Sequence, residues 1–223
     1  MKLQPDGTVI KMMENVPLRE YDLAKRIQDN QPEIIEQTGD KGYRLIDVKE
    51  NKVTMQEFIA QLSVEDLIHI SRAEGMCSAK ATPGIAGAFG GVTDRLKGFG
   101  IPVAGCSDGP SGIRMDCGIM AFSHPNGTLI ACSFNKELTE RLYELEALEL
   151  RKNKIDTLLG PGINIHRNRL NGRNFEYFSE DPYLTGMMAA AQLKVLHRYG
   201  VTGTIKHFSW HNFLLFHQGY HLK

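Results

Sequence analysis

The segment Asp181–His207 reads DPYLTGMMAAAQLKVLHRYGVTGTIKH and decides the fold class. Asp181 followed by Pro182 predicts a helix start, because an Asp side chain caps free backbone amides and proline suits the first helical turn. The apolar pattern continues to about Tyr199, and Gly200 fits the position at which a helix ends in a left-handed turn. The apolar run after this glycine predicts a strand, so the segment has the helix-to-strand order of an α/β fold.

Strands and helices alternate through the preceding part of the chain. Apolar runs predict strands at Gly100–Gly105, Thr128–Cys132 and Ile155–Leu159, with Val201–Ile205 as the fourth. Asn135 fits the cap of a helix between the second and third strands. The leucines expected to dock this helix on a sheet are Leu138, Leu142, Leu145 and Leu148. Strands joined through helices at this spacing predict βαβ units and a parallel sheet.

The N-terminal part of the chain carries weaker signals. An amphipathic pattern predicts a helix at Tyr21–Asp29, and Tyr43–Val48 reads as a brief strand. Thr54–Glu57 and Ser63–Asp66 are capping boxes, in which a hydroxyl and a carboxylate each bind a free amide, so two short helices should follow. Pro83–Gly91 is rich in glycine but matches neither the G-x-G-x-x-G nor the phosphate-loop pattern. We interpret it as a surface or active-site loop.

Composition excludes several classes of protein. The 223 residues include 26 Lys and Arg and 26 Asp and Glu, so the chain lacks the overall positive charge of general nucleic-acid and anionic-membrane binders. No apolar run approaches the ~20 residues of a membrane span, and the N-terminus MKLQPDGTVI has no apolar signal region. We therefore expect a cytoplasmic protein without nucleic-acid or membrane partners. Its four cysteines form no C-x-x-C pair, which argues against a zinc ribbon or a disulfide framework.

Polar side chains follow the predicted strands where those strands end. Asp108 follows the first strand, His166 and then Arg173 follow the third, and Lys206 and His207 close the fourth. In parallel α/β folds, ligands bind at the carboxyl ends of the strands. A carboxylate accepts hydrogen bonds from hydroxyls while cationic groups donate to them, so this set suits a polyol such as a sugar ring. From spacing alone, an equally good interpretation is ordinary loop residues in separate salt bridges.

Three motifs resemble those of one enzyme family. Asp108–Arg114 reads DGPSGIR, Gly160–Pro182 reads GPGINIHRNRLNGRNFEYFSEDP, and Lys206–Phe208 reads KHF. Together they resemble the D-G-P-x-G-x-R segment, the signature block and the K-H-F of glycoside hydrolase family 3, which contains β-glucosidases, β-xylosidases and related exo-glycosidases. Arg169 departs from the family pattern, which has proline there. The resemblance extends from about Thr54 through the K-H-F motif.

The resemblance implies a fold and a set of sugar ligands. It implies a truncated N-terminal catalytic domain at residues 51–208, in the form of an incomplete (β/α)8 TIM-like barrel with parallel strands. Residues 1–50 are then a linker or the remnant of a preceding module, and residues 209–223 are an off-pattern tail. In the family, sugar hydroxyls in subsite −1 are bound at four positions that this sequence retains. They are Asp108, Arg173, Lys206 and His207.

The implied activity is hydrolysis of terminal non-reducing β-D-glucosyl or related residues by a retaining mechanism, which needs two carboxyl groups ~5–5.5 Å apart. In the family, the nucleophile is an Asp on a later barrel strand and the acid/base Glu usually belongs to a second domain. We expect both outside this chain, so no catalytic residue is assigned and the chain alone is expected to be inactive. Glu176, Glu180 and Asp181 are rejected as a catalytic pair, because Asp181 caps a helix and the family block around them is structural or sugar-positioning.

Other interpretations compete with the hydrolase. A truncated, non-catalytic sugar-binding or vestigial protein is the alternative favoured by the missing carboxylates. The β-N-acetylglucosaminidase branch of the family is disfavoured, because Ser209–Trp210 stands where that branch has a His-containing loop. His207 and His211 have the spacing of metal ligands on a helix, but no Glu follows the first His and the tail is off-pattern, so no metal site is expected. The resemblance implies no organic cofactor either. The preferred sugar, the linkage and the oligomeric state stay open.

Overall fold

The computed structural model describes residues 2–10, 22–76 and 78–207, and the chain divides into two compact units. The first unit is Met1–Glu36. Its described elements are the antiparallel strands β1 (Lys2–Leu3) and β2 (Val9–Ile10) and helix α1 (Leu23–Asp29). The helix lies inside the predicted range, and the side chain of Asp22 caps it by accepting from the backbone N–H of Lys25.

The second unit is Gln37–Lys223. Its described helices are α2 (Leu45–Lys49), α3 (Met55–Ala60), α4 (Val64–Arg72), α5 (Asp94–Gly98), α6 (Gly127–Cys132), α7 (Lys136–Lys152) and α8 (Pro182–Arg198). Its described strands are β3 (Gly87–Gly90), β4 (Val103–Asp108), β5 (Thr157–Leu159) and β6 (Thr202–Gly203). A short 3-10 helix covers Asn174–Glu176. The interpretation of residues 1–50 as a linker stays a prediction.

The four strands of the second unit form one mixed sheet in the order β3-β4-β5-β6, so the fold is α/β. Strands β4, β5 and β6 are parallel, as predicted. Strand β3 is antiparallel to β4, from the pair Gly87 and Cys106 to the pair Gly90 and Val103. The prediction of an all-parallel sheet was therefore wrong at this edge.

Strand β3 also corrects the prediction of a glycine-rich loop. Gly87 lies in this strand because the chain at Glu74 runs against it. Ala88 exchanges two backbone hydrogen bonds with Glu74, at 2.8 and 3.0 Å, and a Cβ on Gly87 would lie 2.6 Å from the Glu74 carbonyl oxygen. Glycine in a strand marks such a close approach of a second backbone.

Two predicted strands are helices. Thr128–Cys132 falls in α6, where the Asn126 side chain caps the helix by accepting from the backbone N–H of Leu129. Tyr43–Val48 overlaps α2, where an Asp47 carboxylate oxygen accepts from the backbone N–H of Arg44. A short apolar run is compatible with a strand or a buried helix, so the caps decide between them. The predicted caps at Thr54, Ser63 and Asp181 are confirmed.

Helix α7 buries a different face from the one its leucines indicated. Leu138, Leu145 and Leu148 are about half exposed. The buried side chains are Thr139, Tyr143, Glu146, Ala147 and Leu150. Polar residues on the inner face mask its apolar pattern. The Thr139 hydroxyl donates there to the carbonyl of Asn135, and a Glu146 carboxylate oxygen lies 3.4 Å from Nε2 of the buried His124.

The main core lies between the sheet and the helices α7 and α8, which pack on each other. Its largest members are Tyr143, Leu150, Ile155, Leu158 and Leu196. This core holds β4, β5 and β6 in register, so their C-terminal ends meet at one edge of the sheet. Within the described part of the chain, no helix has both the length and the apolar composition that crossing a membrane requires.

Candidate functional site

The C-terminal edge of the three parallel strands brings distant polar residues together. Asp108 is the last residue of β4 and pairs with Leu159 at the end of β5. After β6, the chain continues along the same edge, where the Lys206 N–H donates to the carbonyl of Pro161 at 3.0 Å. The Lys206 ammonium then lies 2.9 Å from an Asp108 carboxylate oxygen. This ion pair therefore joins two residues that are 98 positions apart in the sequence.

A second carboxylate lies on the buried side of Lys206. Glu176, at the end of the 3-10 helix, has an oxygen 3.3 Å from the Lys206 ammonium, and its other oxygen accepts from the guanidinium of Arg173. The Glu176 and Lys206 side chains are 4% and 12% exposed, whereas that of Asp108 is 40% exposed. The four charged groups thus contact one another in the order Asp108, Lys206, Glu176 and Arg173, with carboxylates and cations alternating.

His207 is held by its backbone and by its ring. The side-chain amide of Asn164 accepts from the His207 N–H at 2.6 Å and donates to the His207 carbonyl at 3.1 Å. The hydroxyl of Tyr177 lies 3.1 Å from Nδ1 of the imidazole, and the two rings meet edge to face. The contact with Tyr177 therefore fixes the orientation of the His207 imidazole.

A cavity of about 390 Å³ opens at this edge of the sheet. Its lining residues are Met76, Ala86, Asp108, Arg114, Asp116, Leu159, Thr204, Lys206 and His207. The lining combines charged and polar groups with apolar side chains, and the volume is in the range of small-molecule sites. The cavity thus contains three of the four predicted sugar ligands.

Arg173 is the fourth predicted ligand, and it is not among the lining residues. Its guanidinium contacts Glu176, and its charge is near enough to Asp108 to lower the pKa of that carboxyl group. His166, which the strand pattern also assigned to this edge, lies beside the Tyr177 ring instead.

The Asp108 carboxyl group is an anion over the physiological pH range. Partial burial acts to raise its pKa, but the hydrogen bond and charge of Lys206 outweigh burial, and the backbone N–H of Gly109 and the charge of Arg173 add to them. The pKa of Asp108 consequently lies below its ordinary value. A carboxylate that stays ionised can only accept hydrogen bonds, which suits it to bind hydroxyl donors.

Six of the lining residues were missed by the sequence prediction, among them Arg114, Asp116 and Met76. Arg114 pairs with Asp116 through an Nε to carboxylate distance of 3.0 Å, and both face the cavity. Arg114 ends the DGPSGIR motif, so the signal for it was present. Met76 carried no such signal, because it approaches the site from the chain before β3.

Metal ligands do not cluster in the described residues. No group of three or more His, Cys, Asp or Glu side chains among them is arranged to hold a metal ion. His211, the second member of the predicted His pair, lies outside the described residues.

Comparison with known proteins identifies the family. The family model described as the glycosyl hydrolase family 3 N terminal domain matches residues 37–221, which is most of the chain. This chain belongs to glycoside hydrolase family 3. The match begins where the second compact unit begins, and it includes every residue of the cavity lining.

Individual members of family 3 are similar over most of this chain. A β-glucosidase of Ruminococcus albus is 59% identical over 199 residues, which are 89% of this chain and 21% of that enzyme. The β-glucosidase A of Butyrivibrio fibrisolvens is 36% identical over 171 residues, or 76% of this chain and 20% of that protein. The chain thus spans about a fifth of the length of these relatives.

Solved structures agree with this assignment. A β-glucosidase from Paenibacillus barengoltzii is 55% identical, with a TM-score of 0.87 over 95% of this chain and 23% of that one. The β-glucosidase 3B of Thermotoga neapolitana in complex with glucose is 33% identical, with a TM-score of 0.63 over 70% of this chain and 23% of its own.

Proposed function

We propose that this chain forms the sugar-binding part of a glycoside hydrolase that removes terminal non-reducing β-D-glucosyl residues. The observation that carries the proposal is the shared cavity of Asp108, Lys206 and His207, in which one acceptor and two nitrogen donors face the same space. A sugar hydroxyl both donates and accepts, so neighbouring hydroxyls on a pyranose suit such an alternating set. The relatives named as β-glucosidases support this substrate class.

Each proposed ligand has a distinct role in subsite −1. Asp108 accepts from one or two sugar hydroxyls, while Lys206 and His207 donate to others. Arg173 lies behind the cavity lining, where its guanidinium donates to Glu176 and adds positive charge to the site. The Asp108–Lys206 ion pair holds both groups in place before the sugar arrives, so less side-chain freedom is lost on binding.

The catalytic step is assigned to groups beyond these residues. We propose a retaining mechanism with a carboxylate nucleophile and an acid/base carboxylic acid, neither of which is identified in this chain. The mixed sheet is proposed to be part of a (β/α)8-type barrel, in which ligands bind at the C-terminal ends of the strands. Hydroxyl contacts at Asp108 and Lys206 would then stabilise the transition state more strongly than the ground state.

Binding of glucose to the full chain tests the proposal. Titration by NMR or calorimetry should give a dissociation constant that Asp108→Asn raises about tenfold or more, since a hydrogen bond to a charged group contributes ~1.5–3 kcal/mol. Asp29→Asn removes an exposed carboxylate of the first unit and serves as the control. A dissociation constant that stays within about twofold in Asp108→Asn would remove Asp108 from the sugar site.

Turnover separates the hydrolase from a protein that only binds sugar. Incubation of the full chain with a chromogenic aryl β-glucoside is expected to release no aglycone, because no nucleophile is assigned. The aryl β-glucoside should nonetheless compete with glucose for the cavity. Release of aglycone would contradict the expectation that both catalytic carboxylates lie elsewhere.

A further inference from the structure

Two consecutive residues stand directly behind two consecutive sugar-facing residues. Glu176 contacts the Lys206 ammonium at 3.3 Å, and Tyr177 contacts the His207 imidazole at 3.1 Å. Glu176 is 4% exposed and Tyr177 is fully buried, so neither side chain is available to contact sugar from the open side. Glu176 and Tyr177 can therefore affect sugar binding only through the residues that they contact, Lys206 and His207.

Glu176 controls the charge around Lys206. The ammonium lies between the Asp108 carboxylate on the open side and the Glu176 carboxylate on the buried side. Without Glu176, the ammonium would have Asp108 as its remaining carboxylate partner among these residues. Asp108 would then offer less of its carboxylate to a ligand, because the same oxygens would be bound to Lys206.

Tyr177 controls the ring of His207. A buried hydroxyl hydrogen needs an acceptor, and Nδ1 of His207 lies within hydrogen-bond distance of it. When the hydroxyl donates to Nδ1, the neutral imidazole carries its hydrogen on Nε2. Burial raises the pKa of Tyr177, which keeps the hydroxyl protonated as a donor. The imidazole is thereby set as an Nε2–H donor.

Gly162 lies between the segment that contains Glu176 and Tyr177 and the segment that contains Lys206 and His207. Gly162 forms parallel bridges with both Tyr177 and Lys206. A Cβ on Gly162 would lie 3.0 Å from a ring carbon of Tyr177 and 3.1 Å from the Glu176 carbonyl oxygen, so a side chain there would press on both residues. The backbone that holds Glu176 and Tyr177 is therefore tied closely to the backbone of the residues they contact.

We propose that Glu176 and Tyr177 are positioning residues of the sugar site. Glu176 shares the Lys206 ammonium with Asp108, and Tyr177 sets the tautomer of His207. The positioning role rests on the proposed sugar-binding function. The effects of Glu176 on Lys206 and of Tyr177 on His207 can nevertheless be tested without any sugar.

The first test measures the reactivity of Lys206. The full chain and its Glu176→Gln variant are treated with acetic anhydride, a neutral amine reagent, and the acetylation rate of Lys206 is read by peptide mass spectrometry. The rate should rise about fivefold or more in Glu176→Gln, because the neutral amine is the form that reacts and Glu176 no longer stabilises the ammonium. Glu180→Gln is the matched control, because Glu180 is exposed on the same segment. Equal Lys206 rates in wild type and Glu176→Gln would overturn the role of Glu176.

The second test reads the tautomer of His207 in the wild-type chain. Nitrogen-15 NMR of histidine-labelled protein, assigned with a His207→Gln spectrum, should show Nε2 protonated and Nδ1 unprotonated. Tyr177→Phe should convert this to a mixture of tautomers, whereas Tyr183→Phe, an exposed tyrosine on α8, should not. A wild-type hydrogen on Nδ1 would overturn the proposal even if no variant folds.

Glucose titration of the same variants separates this proposal from the sugar-binding function. If Glu176→Gln and Tyr177→Phe shift the Lys206 and His207 signals and weaken glucose binding, the positioning role serves the sugar site. If the signals shift but neither wild type nor variant binds any sugar, the positioning geometry stands and the proposed function fails.

Discussion

His124 and Glu146 form a buried pair behind the loop that follows β4. Both side chains are fully buried, and Nε2 of His124 lies 3.4 Å from a Glu146 carboxylate oxygen. Nδ1 of His124 lies 2.9 Å from the Pro125 carbonyl, which can only accept, so Nδ1 carries a hydrogen. Burial alone would lower the pKa of His124, but the Glu146 carboxylate outweighs it and raises that pKa. Burial also raises the pKa of Glu146, with Tyr143 and Glu149 as its other titratable neighbours.

This pair predicts the sign of one pH effect on stability. A histidine whose folded pKa is raised stabilises fully below its unfolded pKa of 6.5, and this contribution is lost as pH rises through the folded pKa. The raised pKa of Glu146 acts in the same direction, from its ordinary value of 4.5 upward. The free energy of unfolding should therefore fall as pH rises through neutrality, by at most ~1.4 kcal/mol per pH unit for each proton.

Urea unfolding of wild type and Glu146→Gln over this pH range measures the effect. In Glu146→Gln, burial acts on His124 without the carboxylate, so the pH dependence of the His124 contribution should reverse. Glu137→Gln, at an exposed position on the same helix, should keep the wild-type dependence. Parallel curves for wild type and Glu146→Gln would contradict the pairing.

At the scale of residues, the sequence predicted three residues that line one cavity better than it predicted the contacts behind them. Asp108, Lys206 and His207 lie together because Asp108 ends β4 and the other two follow β6. Glu176 was noticed and set aside as a catalytic residue, but its contact with Lys206 spans 30 positions of sequence and depends on a loop without periodic pattern. A pattern along the chain carries no information on such a contact.

At the scale of elements, α7 gives a direct test of which helix face carries stability. Leu150 is fully buried in the main core, whereas Leu148 is about half exposed on the same helix. Leu150→Ala should lower the free energy of unfolding by ~2–5 kcal/mol, because it removes buried contacts and leaves a cavity. Leu148→Ala should change it by ~0.5 kcal/mol or less, as a surface substitution does. Equal losses in urea unfolding would show that the leucine stripe packs as its periodicity first indicated.

The elements that the sequence predicted correctly are determined by residues close together in sequence. The elements that it predicted wrongly depend on tertiary contacts. The capping boxes at Thr54 and Ser63 and the Asp181 cap are complete within a few residues, so they can be recognised from sequence. The polar inner face of α7 places Glu146 against His124, and β3 exists because it pairs with β4, with a further bridge from Ala88 to Glu74. These causes lie far away in sequence, and neither propensity nor periodicity contains them.

At the scale of the whole molecule, the sheet ends in a short strand with one described neighbour. β6 pairs with β5, and the nearby Ile205 side chain is half exposed. A strand edge with apolar side chains next to it promotes association with another chain. We expect reversible self-association that Ile205→Lys weakens about tenfold or more, since a charge at an edge opposes pairing.

Sedimentation velocity of the full chain over a wide range of concentration measures this association. Ile34→Lys changes a more exposed isoleucine of the first unit and should leave the association constant unchanged. Association that persists equally in Ile205→Lys would assign the contact to another surface. The oligomeric state was open from the sequence, because the order of the described strands becomes visible only in the structure.

The close contacts at Gly162 have a practical consequence for redesign of the proposed sugar site. A larger residue there would press on the Tyr177 ring and the Glu176 carbonyl, so the residues behind Lys206 and His207 tolerate little redesign. Met76 and Ala86 also line the cavity, and their size can vary without touching those hydrogen bonds. Mutant libraries aimed at pentoses or substituted hexoses should therefore diversify Met76 and Ala86 and leave Gly162, Glu176 and Tyr177 as they are.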